Sequence, residues 1–255
     1  MKRYLKVLYI KNLKFIYIIF VMNKIEDILN KNDLWDLYHG FFFMNDVTRL
    51  RKFMGKAELF KLILNIPGDI VELGVFKGVG IAQLLKLREI FIPASNKKVI
   101  GFDLFSESNI ELLGHDIELK EVYNESEVNM KDGINKNNIE KIIDNIKFSN
   151  NTQYSKLYKL IEGNVKNTIP EYLKENPGFR ISFLYLDMDI DEPTFIALNL
   201  LYERVVKGGI IIFDEYACQE WTESNAVDRF LALHPNLSLK SIQWSTTPTA
   251  YTIKE

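Results

Sequence analysis

The 255-residue chain predicts a doubly wound α/β fold on a mostly parallel seven-stranded sheet. Three observations predict it. Short runs such as Ile210-Ile211-Ile212-Phe213 are apolar throughout, as strands covered on both faces must be. Segments of helical period separate these runs, which is the rhythm of βαβ units. Glycine turns or acidic residues follow several of the runs, and right-handed crossovers bring all of those strand ends to one edge of the sheet. Bulk numbers set the outer limits. Hydrophobic residues at 47% and charged residues at 26% are ordinary for a globular chain. A net charge of −2 lacks the basic footprint of a nucleic-acid binder. A single cysteine, Cys218, excludes an intrachain disulfide and points to a cytoplasmic protein.

The first elements are helical. Residues 1–22 form a basic leader in which Lys2, Arg3, Lys6, Lys11 and Lys14 precede the apolar run from Phe15 to Met22. That run is too short to span a bilayer as a helix, and no small-residue cleavage site follows it. The expectation is that the chain proper starts at Met22, ahead of a genuine extra helix, and that no stable membrane insertion occurs. Residues 23–66 form a helical section with apolar stripes Ile25, Ile28 and Leu29, then Leu34, Leu37 and Tyr38, then Leu59, Phe60, Ile63 and Leu64. The run Phe41-Phe42-Phe43 suggests buried contacts, including contacts between subunits of a homo-oligomer. Pro67-Gly68 closes the section.

The core domain, 67–255, alternates strand and helix. Strands are expected at 69–73, 99–104, 157–161, 181–186 and 210–213, with a closing hairpin pair at 239–244 and 250–254. Helices are expected at 81–90, 169–174, 195–205 and 226–233. One segment breaks the rhythm. Residues 105–154 are long, polar and rich in Asn, Lys and Glu, a length that belongs to functional or mobile connections. Ile139, Ile142, Ile143 and Ile146 mark an amphipathic helix inside it. The rest is read as a lid, with His115 within reach of a substrate.

Chemistry concentrates at two places. Asp69 to Gly80 reads as a buried strand, a glycine-bearing turn and a helix start, the parts of a nucleotide-cofactor site. A dinucleotide site wants G-x-G-x-x-G, yet the middle position is Phe76, whose ring obstructs a pyrophosphate. Glu72 would repel one. Glu72, Gly74, Phe76 and Gly78 therefore suit a cofactor with a positive end and no phosphate, and S-adenosylmethionine (SAM) fits. Asp103, ending the second strand, can accept the ribose hydroxyls or cap the next helix. Gly163 and Asn164, after the third strand, can approach adenine or form a simple turn. The second place is acidic. Asp187, Asp189, Asp191 and Glu192 follow the fourth strand, and Asp214 and Glu215 follow the fifth, which is its neighbour. Carboxylates crowded there repel one another, and a hard divalent ion such as Mg²⁺ relieves this. Asp191 or Glu192 is expected to cap the following helix. Asp187, Asp214 and Glu215 are the expected metal ligands.

The set Val71-Glu72-Leu73-Gly74-Val75-Phe76-Lys77-Gly78, Leu186-Asp187-Met188-Asp189, Gly208-Gly209 and Asp214-Glu215-Tyr216 resembles the macrocin O-methyltransferase family, over about residues 45–234. The resemblance implies a class I, SAM-dependent, metal-dependent sugar O-methyltransferase acting on a small-molecule or sugar-nucleotide substrate. Two features depart from the family pattern: Glu215 stands where a second aspartate is usual, and the long 105–154 segment replaces a short loop. The implied mechanism has Mg²⁺ acidify a substrate hydroxyl while Asp187 or Asp189 takes its proton. Two other readings remain open at this level: a nicotinamide-dependent oxidoreductase, and a non-catalytic SAM-binding module.

Overall fold

A computed structural model describes residues 38–43, 47–105, 136–145 and 157–255. The chain divides into two compact units, Met1–Val47 and Thr48–Glu255. Within the first, residues 38–43 are helical and present Tyr38, Phe41, Phe42 and Phe43 as exposed rings. The leader at 1–22 lies outside the described residues.

The second unit carries a sheet of order β3-β2-β1-β4-β5-β6. The strands are β1 (Asp69–Leu73), β2 (Val99–Asp103), β3 (Tyr158–Glu162), β4 (Ile181–Leu186), β5 (Val205–Phe213) and β6 (Ala250–Ile253). The first five pair in parallel, and β6 runs antiparallel to β5. Between them run α1 (Thr48–Lys61), α2 (Val79–Phe91), α3 (Lys136–Asn145), α4 (Val165–Glu175), α5 (Asp191–Leu201) and α6 (Glu223–Leu233). This is a doubly wound arrangement, with the strand order reversing between β1 and β4.

The sheet has six strands among the described residues, where seven were expected. The segment expected as a strand at 239–244 makes only one antiparallel bridge, Lys240 to Tyr251. The physical reason is a turn in which Ser245 N donates to Ile242 O at 2.9 Å, curling the chain away before a ladder can extend. A second difference lies at Lys207-Gly208-Gly209, expected to turn into the fifth strand. These residues sit inside β5, where the pairing with β4 shifts register: Ile181 faces Val205, yet Phe183 faces Ile210. The glycine pair thus makes an irregularity within the strand, with Gly208 at φ 80°.

Each central strand is buried on both faces, as its apolar run requires. Phe183 and Tyr185 of β4 point to one side with Phe60 of α1 and Leu84 of α2. Leu184 and Leu186 point to the other with Ile169 of α4, Leu198 of α5 and Phe230 of α6. Alternation along one strand therefore feeds two cores. Helix α1 belongs to the first of these: its Leu59 and Phe60, with Ile63 in the turn just after it, pack against Ile70 and Phe183. Helix α3, the amphipathic part of the long insertion, buries Ile139 and Ile143 in the same core beside Val75 and Ile81. The remainder of that insertion, with His115, lies outside the described residues.

Candidate active site

Register builds the site. Leu73 of β1 pairs with Leu186 of β4, and Leu186 with Phe213 of β5. The next residue on each strand is then a neighbour of the others, which places Gly74, Asp187 and Asp214 side by side. Backbone hydrogen bonds extend this past the strands: Asp187 N donates to Leu73 O at 2.8 Å and Asp214 N to Leu186 O at 3.0 Å. Gly74 lies so close to this crossing that an added Cβ would stand 1.8 Å from the Asp187 carbonyl oxygen, and its φ is +86°. Only glycine meets both conditions. The two sequence motifs, turn and acidic run, are thus in direct backbone contact.

The turn after β1 is fixed by Asp103. Its Oδ2 accepts Val75 N at 2.7 Å and Phe76 N at 2.9 Å, and its Oδ1 accepts Phe105 N at 3.0 Å. Asp103 thus caps the turn and retains one acceptor site, on Oδ1. Phe76 adopts φ +50° and stays 40% exposed, and Val79 beside it is exposed as well. Gly78, at φ +81°, is the N-cap of α2, and a Cβ there would meet Ile139 of α3 at 2.6 Å. Asn164 caps α4, its side chain accepting Lys166 N at 2.9 Å, and Gly163 precedes it at φ +127°.

Glu72 sits beneath the turn. It is 1% exposed, and Lys56 Nζ of α1 donates to its Oε1 at 3.0 Å. Its carboxylate lies under Gly80, where a Cβ would come within 1.9 Å of Oε1. Burial raises its pKa even against the Lys56 charge, and its Oε2 has no hydrogen-bond partner among the described residues. Glu72 therefore supports the turn from beneath, and its charge is met by a lysine.

The acidic half holds five carboxylates and a lysine that sequence reading did not place there. Lys52 Nζ of α1 donates to Asp187 Oδ2 at 2.9 Å and to Asp214 Oδ2 at 2.6 Å. Burial alone would lower the Lys52 pKa; the two carboxylates outweigh it and hold the ammonium above its usual range. The Tyr185 hydroxyl donates to Asp214 Oδ1. Despite complete burial, these donors keep Asp214 ionised, below the usual carboxylate value. Asp187, 22% exposed at its side chain, is pushed well upward by burial and by Asp214. The same two causes raise Asp189 to about 6. Burial, Asp214 and Asp189 raise Glu215 to about 7. Asp189 sits at φ +64°, an uncommon conformation that aspartate tolerates better than most residues. Glu223 at the start of α6 is the fifth acid. It is buried and accepts Glu215 N at 3.1 Å through Oε1, and among the described residues its Oε2 has no hydrogen-bond partner.

The expected helix cap after β4 is different in form. Ile190 is the N-cap of α5 and makes no side-chain cap. Asp191 and Glu192 occupy the first turn, where acids suit the helix dipole, and pair with Arg229 of α6. Lys52, Lys56, Tyr185 and Glu223 were missed by sequence reading. A signal existed for the lysines: Lys52, Lys56, Leu59, Phe60 and Ile63 fall on one helical face, so two lysines extend an apolar stripe.

The metal implied by the resemblance meets a mixed outcome. Among the described residues, no group of three or more His, Cys, Asp or Glu side chains is arranged to hold a cation, and Lys52 stands between Asp187 and Asp214. The donor chemistry nevertheless fits one. Carboxylate oxygens are what a hard divalent ion takes, Lys52 meets only part of the negative charge, and Glu223 has a buried oxygen with no hydrogen-bond partner among the described residues.

Comparisons with known proteins bear on the fold and the family. A profile of the macrocin-O-methyltransferase (TylF) family matches residues 42–247. A search of curated proteins gives no match. Among solved structures, the apo form of CalS11, described as a TDP-rhamnose 3'-O-methyltransferase of calicheamicin biosynthesis, superposes with a TM-score of 0.64. It is 24% identical, over 91% of this chain and 90% of that one. The O-methyltransferase NovP gives 0.62 at 20% identity, over 80% of this chain and 79% of that one. These likenesses show a shared fold. The family profile spans more than half of the chain, from before α1 to beyond α6, and takes in both the glycine turn and the acidic strand ends. The chain therefore belongs to the macrocin-O-methyltransferase family and is a SAM-dependent methyltransferase.

Proposed function

We propose that this enzyme transfers the SAM methyl group to a hydroxyl of a nucleotide-activated sugar or glycan precursor, with assistance from Mg²⁺. The observation that carries this reading is the crowding of Asp187, Asp189, Asp214 and Glu215 directly beside the Gly74 turn. The turn holds the methyl donor. Gly74 and Gly78 let the backbone approach it, Phe76 and Val79 offer apolar surface, and Asp103 has an acceptor site for a ribose hydroxyl. Gly163 and Asn164 at the end of β3 border the adenine. Asp187, Asp214 and Glu215 would hold the cation, which when bound supplies Lewis acidity that favours loss of the hydroxyl proton.

Asp189 is the residue assigned to take that proton. Asp187 is engaged by a cation in either state, whereas no hydrogen bond among the described residues occupies the Asp189 carboxylate. The deprotonated oxygen then attacks the sulfonium methyl carbon. A carbon–oxygen bond forms, the carbon–sulfur bond breaks, and S-adenosylhomocysteine leaves with the electron pair. Alignment of the two substrates supplies much of the acceleration.

The nicotinamide alternative has no support beside the family match, and a non-catalytic module has no use for buried like charges. The test is methyl transfer from labelled SAM over a panel of nucleotide sugars, beginning with TDP-rhamnose, with and without Mg²⁺. Asp187→Asn and Asp214→Asn are expected to lower kcat by about a hundredfold or more while SAM affinity, read by calorimetry, changes little. Full turnover by either variant under chelation would refute the metal-assisted mechanism.

A further inference from the structure

Lys52 is a group that neither half of this mechanism uses. We propose that Lys52 and the divalent ion are alternative occupants of the same pair of carboxylates, so that Lys52 sets the metal affinity of the site. This rests on the metal-assisted reading above and deepens it.

The geometry of Asp214 makes the competition unavoidable. Its side chain is 0% exposed. Oδ1 is taken by the Tyr185 hydroxyl, and Oδ2 by Lys52 at 2.6 Å. A divalent ion that binds Asp214 on the side away from the buried tyrosine contact meets Oδ2, where the Lys52 ammonium, a like charge, already stands. The same ammonium holds Asp187 Oδ2 at 2.9 Å. Two neighbouring carboxylates cannot both stay ionised without a cation between them, so the lysine keeps the pair assembled while no metal is bound.

Release of Lys52 needs no movement of its helix. One turn along α1, Lys56 is 1% exposed and held by Glu72, with its ammonium 4.1 Å from the centre of the Tyr185 ring. Leu59 and Phe60 are buried beyond it. Lys52 is on the outer turn of the same helix, 18% exposed, on a flexible four-carbon stem. Swinging that stem outward frees both oxygens.

The experiment is a Mn²⁺ titration, followed by electron paramagnetic resonance or calorimetry, of wild type, Lys52→Met, Lys52→Gln and Lys52→Arg. When a binding-competent arrangement is only fractionally populated, apparent affinity falls by that fraction. Removing the competing ammonium should therefore tighten Mn²⁺ binding about tenfold or more in the Met and Gln variants, while Arg stays at or below wild type. SAM affinity, unchanged in each variant, certifies the fold. Equal or weaker Mn²⁺ binding in the Met and Gln variants would overturn the inference and leave the metal reading standing. Absence of Mn²⁺ binding in every variant would overturn the metal reading, and this inference with it.

Discussion

Glu72 is the residue whose meaning changed most between sequence and structure. In the sequence it is an acid beside a cofactor turn. In the structure it is a buried carboxylate whose counter-charge, Lys56, comes from α1. Burying such a pair gives little net stability, yet removing one member leaves an uncompensated charge at a cost of about 3–5 kcal/mol. Lys56→Met should therefore destabilise the fold by about that amount in urea denaturation. Adding Glu72→Gln to Lys56→Met should recover most of the loss, which a double-mutant cycle will show. Gly74 stands at the other extreme. Both its positive φ and its contact with the Asp187 carbonyl are conditions that the sequence motif alone suggested but only β1–β4 pairing explains. Asp103 lies between: the sequence placed it at the end of β2, and the structure shows its carboxylate fixing the turn of the neighbouring strand.

At the scale of elements, α3 and α1 do more than cover the sheet. Ile139 of α3 touches the position of Gly78, the N-cap of the helix that follows the glycine turn. Ile139→Asp should detach α3 from the core and weaken SAM binding by about tenfold or more, since an uncompensated charge in an apolar contact costs more than the helix contributes. Hydrogen exchange over 136–145 will report the detachment and calorimetry the affinity. The amphipathic spacing of Ile139 and Ile143 was legible in the sequence; its position against the glycine turn was not, because a hydrophobic period states that a face is buried and not against what. The same limit hid α1. Its stripe was read through Leu59, Phe60 and Ile63, and the lysines one and two turns earlier were left out because lysines are rarely buried without a partner. Their partners are 16, 135 and 162 residues away.

For the whole molecule, charge at the acidic edge links stability to pH. Asp189 at about 6 and Glu215 at about 7 lie above their unfolded values of 3.8 and 4.5. Between those values the folded chain binds more protons than the unfolded one, so stability falls as pH rises. The thermal midpoint of the metal-free protein should therefore rise as pH is lowered from about 8 to about 6. A divalent ion relieves the same repulsion and should raise the midpoint more at the higher pH. Differential scanning calorimetry with and without Mg²⁺ checks both, and a midpoint that climbs steadily with pH across this window would contradict the charge assignment.

The sequence by itself determined the parallel sheet, the glycine turn, the acidic strand ends and the family. Each of these is local: an apolar run, a short motif, a spacing of a few residues. It also suggested one strand too many, because a β-prone stretch at 239–244 carries no sign of the turn at Ile242–Ser245 that ends it. Tertiary structure alone decided which charges meet. The register of β1, β4 and β5 joins the two motifs, and the packing of α1 brings Lys52 and Lys56 under them. Electrostatic partnership is set by distance in space, which no spacing along a chain encodes, so the counter-charges of this site became visible only when the helix was seen against the sheet.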